Sequence, residues 1–128
     1  MQPKVLIIDR NTADAEGVQR LLTAHGYQVE ISGSAVGGLS KAGAGDVDAI
    51  ILEAMLKTPS EGIAVAQKLK KDKRTAKIPL VMLTGIRQVY NLPFGLEADQ
   101  EYLPVDALIE KPMDQQVLLD TMRSFIKS

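Results

Sequence analysis

Four polar residues stand where apolar runs of this chain end, and their types decide what chemistry is open to it. Asp9 follows Val5-Leu6-Ile7-Ile8, and Glu53 follows Ala49-Ile50-Ile51-Leu52. Thr84 closes Pro79-Leu80-Val81-Met82-Leu83, and Lys111 comes just after Ala107-Leu108-Ile109. Short runs of apolar residues bounded by polar ones read as strands buried on both faces, as in a parallel sheet. In open α/β sheets the chemistry lies just beyond the carboxyl ends of the strands. A carboxylate at that place, such as Glu53, is a reacting group, a metal ligand or half of a buried ion pair.

The elements that must position these groups follow in order. A first strand ends at Asp9, and a helix from Ala13 to His25 carries Val18, Leu21 and Leu22 before Gly26 stops it. Gln28 to Ser32 alternates, as a strand nearer an edge does. Ser34 to about Ala44 is a weak helix, its propensity lowered by Gly37, Gly38 and Gly43. The central strand runs to Glu53, and a helix from about Ser60 to Lys71 follows the loop through Pro59. The fourth and fifth strands end at Thr84 and Glu110. Asp114 is a good N-cap for a last helix bearing Val117, Leu118, Met122, Phe125 and Ile126. Five such strands alternating with helices predict a doubly covered parallel sheet in flavodoxin-like order 2-1-3-4-5. In that order strands one and three are neighbours, so Asp9 and Glu53 face each other across one crevice.

The totals narrow the function classes. The chain has 128 residues, of which 45% are hydrophobic and 24% charged, enough for one globular core and a single domain spanning 1–128. A net charge of −1 gives no global attraction to nucleic acid or anionic membrane. With no cysteine, thiol catalysis and thiolate metal sites are excluded. No apolar run approaches membrane-spanning length. A cytoplasmic location is expected.

Val5-Leu6-Ile7-Ile8-Asp9, Ile78-Pro79-Leu80-Val81-Met82-Leu83-Thr84 and Glu110-Lys111-Pro112-Met113-Asp114, in this order and spacing, resemble the receiver domain of two-component response regulators. The resemblance covers nearly the whole chain. It implies a CheY-like fold in which an aspartate ending strand three accepts a phosphoryl group from a histidine kinase. Two acids after strand one would hold Mg²⁺, and the hydroxyl and lysine, here Thr84 and Lys111, would engage the phosphoryl oxygens.

The chain departs from that pattern at its centre. The phosphoacceptor position is Glu53, and Arg10 stands where the second metal acid belongs. Three carboxylates and one lysine sum to −3 + 1 = −2, which a divalent cation balances. Asp9 and Glu53 against Arg10 and Lys111 give −2 + 2 = 0, and a guanidinium can take the cation's place. Asp14, one helical turn on, is the nearest replacement acid. Glutamate's extra methylene moves its carboxylate towards Thr84 and Lys111. Glu53 is then either a built-in, incomplete phosphate mimic or a plain ion-pair partner of Arg10 or Lys111.

The expectation is therefore a bacterial pseudo-receiver, not an enzyme, that signals by protein–protein contact and needs no cofactor. The competing class is a competent receiver, in which Glu53 accepts phosphate and Mg²⁺ sits on Asp9, Glu53 and the Met55 backbone, with Asp14 as a further acid. A flavodoxin-like ligand module lacks its hydroxyl-rich phosphate loop. The switch aromatic of many receivers is here Leu108, read as a core leucine.

Between strands four and five a short helix and an ordered loop hold three of the five aromatics, Tyr90, Phe94 and Tyr102. This flank is the candidate surface for a sensor kinase, a downstream protein or a homodimer, although Phe94 and Leu96 folding back over the sheet edge is the favoured alternative. The loops around Lys57-Thr58-Pro59-Ser60 and Glu101-Tyr102-Leu103-Pro104 resemble a variant of stand-alone receivers. No output domain is expected after the last helix, although an excised receiver is an open alternative. Lys68, Lys70, Lys71, Lys73, Arg74 and Lys77 read as a solvated helix end, not a nucleic-acid surface. His25 reads as a surface cap.

Overall fold

A computed structural model describes residues 2–89 and 97–126. The strands β1 (Lys4–Ile8), β2 (Gln28–Ser32), β3 (Ala49–Leu52), β4 (Leu80–Thr84) and β5 (Ala107–Glu110) form one parallel sheet in the order β2-β1-β3-β4-β5. The helices are α1 (Thr12–Ala24), α2 (Ala35–Gly43), α3 (Glu61–Lys71), the four-residue α4 (Ile86–Val89) and α5 (Gln115–Phe125). The expected topology is the one observed.

Burial follows the position of each strand. β3 and β4 are buried throughout, whereas the edge strands β2 and β5 are partly open. Because successive side chains leave a strand on opposite faces, the apolar runs divide into two cores. Leu6, Ile8, Ile50, Leu52, Leu80 and Met82 pack with residues of α2 and α3. Val5, Ile7, Ala49, Ile51, Val81 and Leu83 pack with residues of α1 and α5.

Local chemistry sets the helix ends. Asn11, Ser34 and Asp114 accept hydrogen bonds from the backbone N–H of Asp14, Gly37 and Val117, which starts α1, α2 and α5. Gly26, at φ 91°, ends α1 just past the capping His25, whose Nδ1 lies 2.9 Å from the Leu21 carbonyl. Among the glycines that weaken α2, Gly38 has a packing cause: a Cβ there would come within 2.6 Å of Ile8. α5 corrects the sequence reading. It buries Leu118, Leu119 and Met122, while Val117 and Phe125 are 47% and 37% exposed. Leu119 lies one position past Leu118 and widens the buried stripe at the expense of those two.

Register then aligns the polar strand ends. Ile8 pairs with Leu52, and Thr84 with Glu110. Backbone bonds carry the rows one residue further, from Glu53 N to the Ile8 carbonyl (3.0 Å) and from Lys111 N to the Thr84 carbonyl (2.8 Å). Asp9, Glu53, Thr84 and Lys111 thereby meet at one edge.

Candidate functional site

A cavity of about 650 Å³ opens at this edge, lined by Asp9, Arg10, Asp14, Glu53, Lys111 and the β3–α3 loop. Glu53 is its deepest charge, 4% exposed and one residue past β3. Its Oε2 accepts hydrogen bonds from the Thr84 hydroxyl and from the Met55 N–H at 3.1 Å. Its Oε1 accepts from the Gly85 N–H at 3.1 Å and pairs with Lys111 Nζ at 3.1 Å. Thr84 Oγ1 in turn accepts from the Ile86 N–H, so the hydroxyl links the carboxylate to the start of α4.

Lys111 is the cation of the site. Its ammonium donates to Asp9 Oδ2 and Asp14 Oδ2, each at 2.8 Å, besides pairing with Glu53. Burial disfavours the charged ammonium, but Asp14 and Asp9, with Glu53 behind them, outweigh it and hold the Lys111 pKa above the ordinary lysine value. Burial pushes the Asp9 carboxyl above the usual aspartate value, against the pull of Lys111 and of the Asn11 N–H on its Oδ1.

Two expectations are corrected here. Arg10 does not pair with Glu53. Its side chain is exposed, and its guanidinium donates to the Leu56 carbonyl at 3.1 Å, tying the β1–α1 turn to the β3–α3 loop. Lys111 already fills the point where the carboxylates converge. Nor does the site's charge cancel as counted from Asp9, Glu53, Arg10 and Lys111. Asp14 reaches the lysine, so the groups in contact are three carboxylates and one ammonium, −3 + 1 = −2, with Arg10 on the rim.

This arrangement does not fit Mg²⁺. The Lys111 ammonium holds the carboxylates, both Glu53 oxygens already have protein donors, and the second metal acid is an arginine. Among the described residues no group of three or more His, Cys, Asp or Glu could hold a metal ion. Met55 enters through its N–H, as a donor to Glu53.

Leu108 is partly buried against the α2–α3 core, opposite Met82 on β4, as a core leucine should be. Tyr102 is 61% exposed, whereas Tyr90, Phe94 and Leu96 lie outside the described residues. Lys68, Lys71, Lys73 and Lys77 are exposed, but Lys70 is tied to Asp106 at 2.9 Å and Arg74 to Asp72 at 2.8 Å. Sequence reasoning missed the backbone donors of Met55 and Gly85, which carry no side-chain signal. It also missed Gly62, whose N–H donates to the Ala54 carbonyl at 2.8 Å and presses α3 onto the loop after Glu53.

The family model of the response regulator receiver domain matches residues 5–123. The DNA-binding dual master transcriptional regulator RpaA of Synechocystis sp. is 31% identical over 125 residues, which are 98% of this chain and 49% of that protein. The chain thus spans about half the length of the curated relatives it matches. A CheY-like receiver domain protein from Methanospirillum hungatei superposes with a TM-score of 0.76 at 25% identity, over 97% of this chain and 93% of that one. The receiver domain of the sensor histidine kinase PA1611 from Pseudomonas aeruginosa superposes at 0.80 and 16% identity, over 98% of each chain, and holds a magnesium ion in its active-site cleft. No helix among the described residues is long and apolar enough to cross a membrane. Sheet order, the convergence of Asp9, Thr84 and Lys111 on strand three, and the match over residues 5–123 together make this chain a member of the response regulator receiver domain family.

Proposed function

We propose that this receiver works without phosphoryl transfer at Glu53, as a pseudo-receiver that signals through protein–protein contact in the cytoplasm and turns over no substrate. The observation that carries this reading is the saturation of Glu53. Its two oxygens take donors from Thr84, Gly85, Met55 and Lys111, so no oxygen is left free to attack a phosphorus atom. Thr84 and Lys111 are the groups that a phosphoryl oxygen would engage in a working receiver. Glu53 reaches both with one negative charge where a phosphate brings nearly two. The site is in effect preloaded. Partners are a sensor kinase or a downstream signalling protein.

A competent receiver is the second reading, favoured by the three carboxylates around Lys111 and by the magnesium ion in the PA1611 receiver. Thermal unfolding with and without millimolar Mg²⁺ separates the two. A ligand at 100 times its Kd stabilises a fold by about 2.7 kcal/mol. The natural protein should show no Mg²⁺-dependent rise in Tm, whereas the Glu53→Asp/Arg10→Asp variant, which restores both acids, should show one. A saturable rise in the natural protein overturns the proposal.

A further inference from the structure

A second cavity, of about 400 Å³, shares Arg10 and Lys57 with the first and opens onto the turn between β2 and α2. Its volume falls in the range of about 300–1,000 Å³ that small-molecule sites occupy. Besides the two cations it is lined by Glu61 and by the segment from Gly33 to Val36. The Leu56 carbonyl holds the Arg10 guanidinium in place through one N–H at 3.1 Å, its one hydrogen bond among the described residues. No ion pair among those residues holds either Arg10 or Lys57. The single acid, Glu61, already accepts the Lys57 N–H at 2.9 Å on one carboxylate oxygen. Two cations therefore line this cavity against one carboxylate, whereas three carboxylates surround Lys111 in the first. Val36, 81% exposed, supplies an apolar lip.

We propose that this second cavity binds a small organic phosphate monoester, its phosphate on Arg10 and Lys57 and its apolar body on Val36. A guanidinium anchored through one N–H keeps its other donors for paired hydrogen bonds to phosphate oxygens. Lys57 adds a point charge from the next turn of the chain. A phosphomonoester carries nearly two negative charges at neutral pH. In the first cavity that dianion would meet the carboxylates around Lys111, so its charge directs it to the second. Inorganic phosphate satisfies the cations but leaves Val36 uncovered. The proposal is independent of how Glu53 is read.

Titration of the isotope-labelled protein with phenyl phosphate, followed by amide NMR shifts, tests it. Saturable shifts centred on the 33–36 segment and Lys57 are expected, with a Kd of about 1 mM or tighter. Inorganic phosphate should bind there more weakly, and phenol should not bind. Lys57→Glu should weaken phenyl phosphate binding at least about tenfold. Glu61→Gln should tighten it about threefold, because it removes the one acid yet keeps an acceptor for the Lys57 N–H. Val36→Ser should weaken phenyl phosphate about threefold and leave inorganic phosphate unchanged. Lys57 and Val36 are exposed, so these two variants should melt as the natural protein does. Shifts that do not saturate by about ten times the expected Kd overturn the proposal. So do shifts centred on Gly85 and Lys111, an affinity indifferent to Lys57→Glu, or inorganic phosphate binding as tightly as phenyl phosphate.

Discussion

Replacing Lys111 with methionine should destabilise the fold by about 3–5 kcal/mol, the loss expected when one partner of a buried ion pair is removed. The ammonium is the shared counter-ion of Asp9 and Glu53, which are 7% and 4% exposed, and of the more open Asp14. Methionine fills a similar volume but leaves the two buried carboxylates with only backbone and hydroxyl donors. A chain of this size should lose on the order of 10–20 °C in Tm. The pH dependence gives a second check. The pKa of Lys111 is raised in the folded state, so its stabilisation is complete below the ordinary value of 10.5 and is lost as pH rises through the higher folded value. The natural protein should therefore hold its Lys111 contribution across neutral pH and lose it only in strong alkali. The methionine variant should lack that alkaline loss and regain stability in acid, as Asp9, whose carboxyl burial already pushes up, takes up a proton. A neutral-pH loss below about 1 kcal/mol would show that the cluster does not bury its charges as described.

Gly62→Ala should be comparably damaging, for a reason unrelated to charge. A Cβ at this position would stand 2.0 Å from the Glu53 carbonyl oxygen, 2.7 Å from Ala54 Cα and 2.8 Å from the Ala54 carbonyl oxygen. All three are main-chain atoms, so no side chain can move aside. Either α3 lifts or the Glu53–Ala54 backbone shifts, and the second outcome drags Glu53 away from Thr84 and Gly85. We expect a loss on the order of 3–5 kcal/mol, at the upper end for a single methyl group. Gly17→Ala, on α1, is the control. Its Cβ would meet only an Arg20 nitrogen at 3.9 Å, and helix propensity alone should stabilise by up to about 1 kcal/mol. Chemical denaturation of the two variants beside the parent checks both signs.

Much of this was legible in the residues. Runs such as Val5–Ile8 and Ile50–Leu52 announce strands covered on both faces, and their polar terminators must then share one edge. The order of those terminators along the chain outlines the site. What stayed hidden depends on reach. Composition counts Arg10 and Lys111 as equal charges, yet only the lysine, starting from the end of β5, enters the space between the carboxylates. Asp14 could be named as a spare acid, but its contact with Lys111 depends on the pitch of α1 against β5. The Gly85 and Met55 amides, which finish the Glu53 cage, are main-chain groups with no signature in residue type. Gly38 read as a weak helix former and Gly62 carried no reading, although each marks a place where a helix meets a strand end too closely for a side chain.

The central claim is that Glu53 replaces phosphoryl chemistry and does not perform it. Intact mass after incubation with Mg²⁺ and a small phosphoryl donor tests it most directly, with the Glu53→Asp/Arg10→Asp variant treated in parallel. The account predicts an unchanged mass for the natural protein and the gain of one phosphoryl group by the double variant. A phosphoryl group on the natural protein, mapped to Glu53, would contradict it.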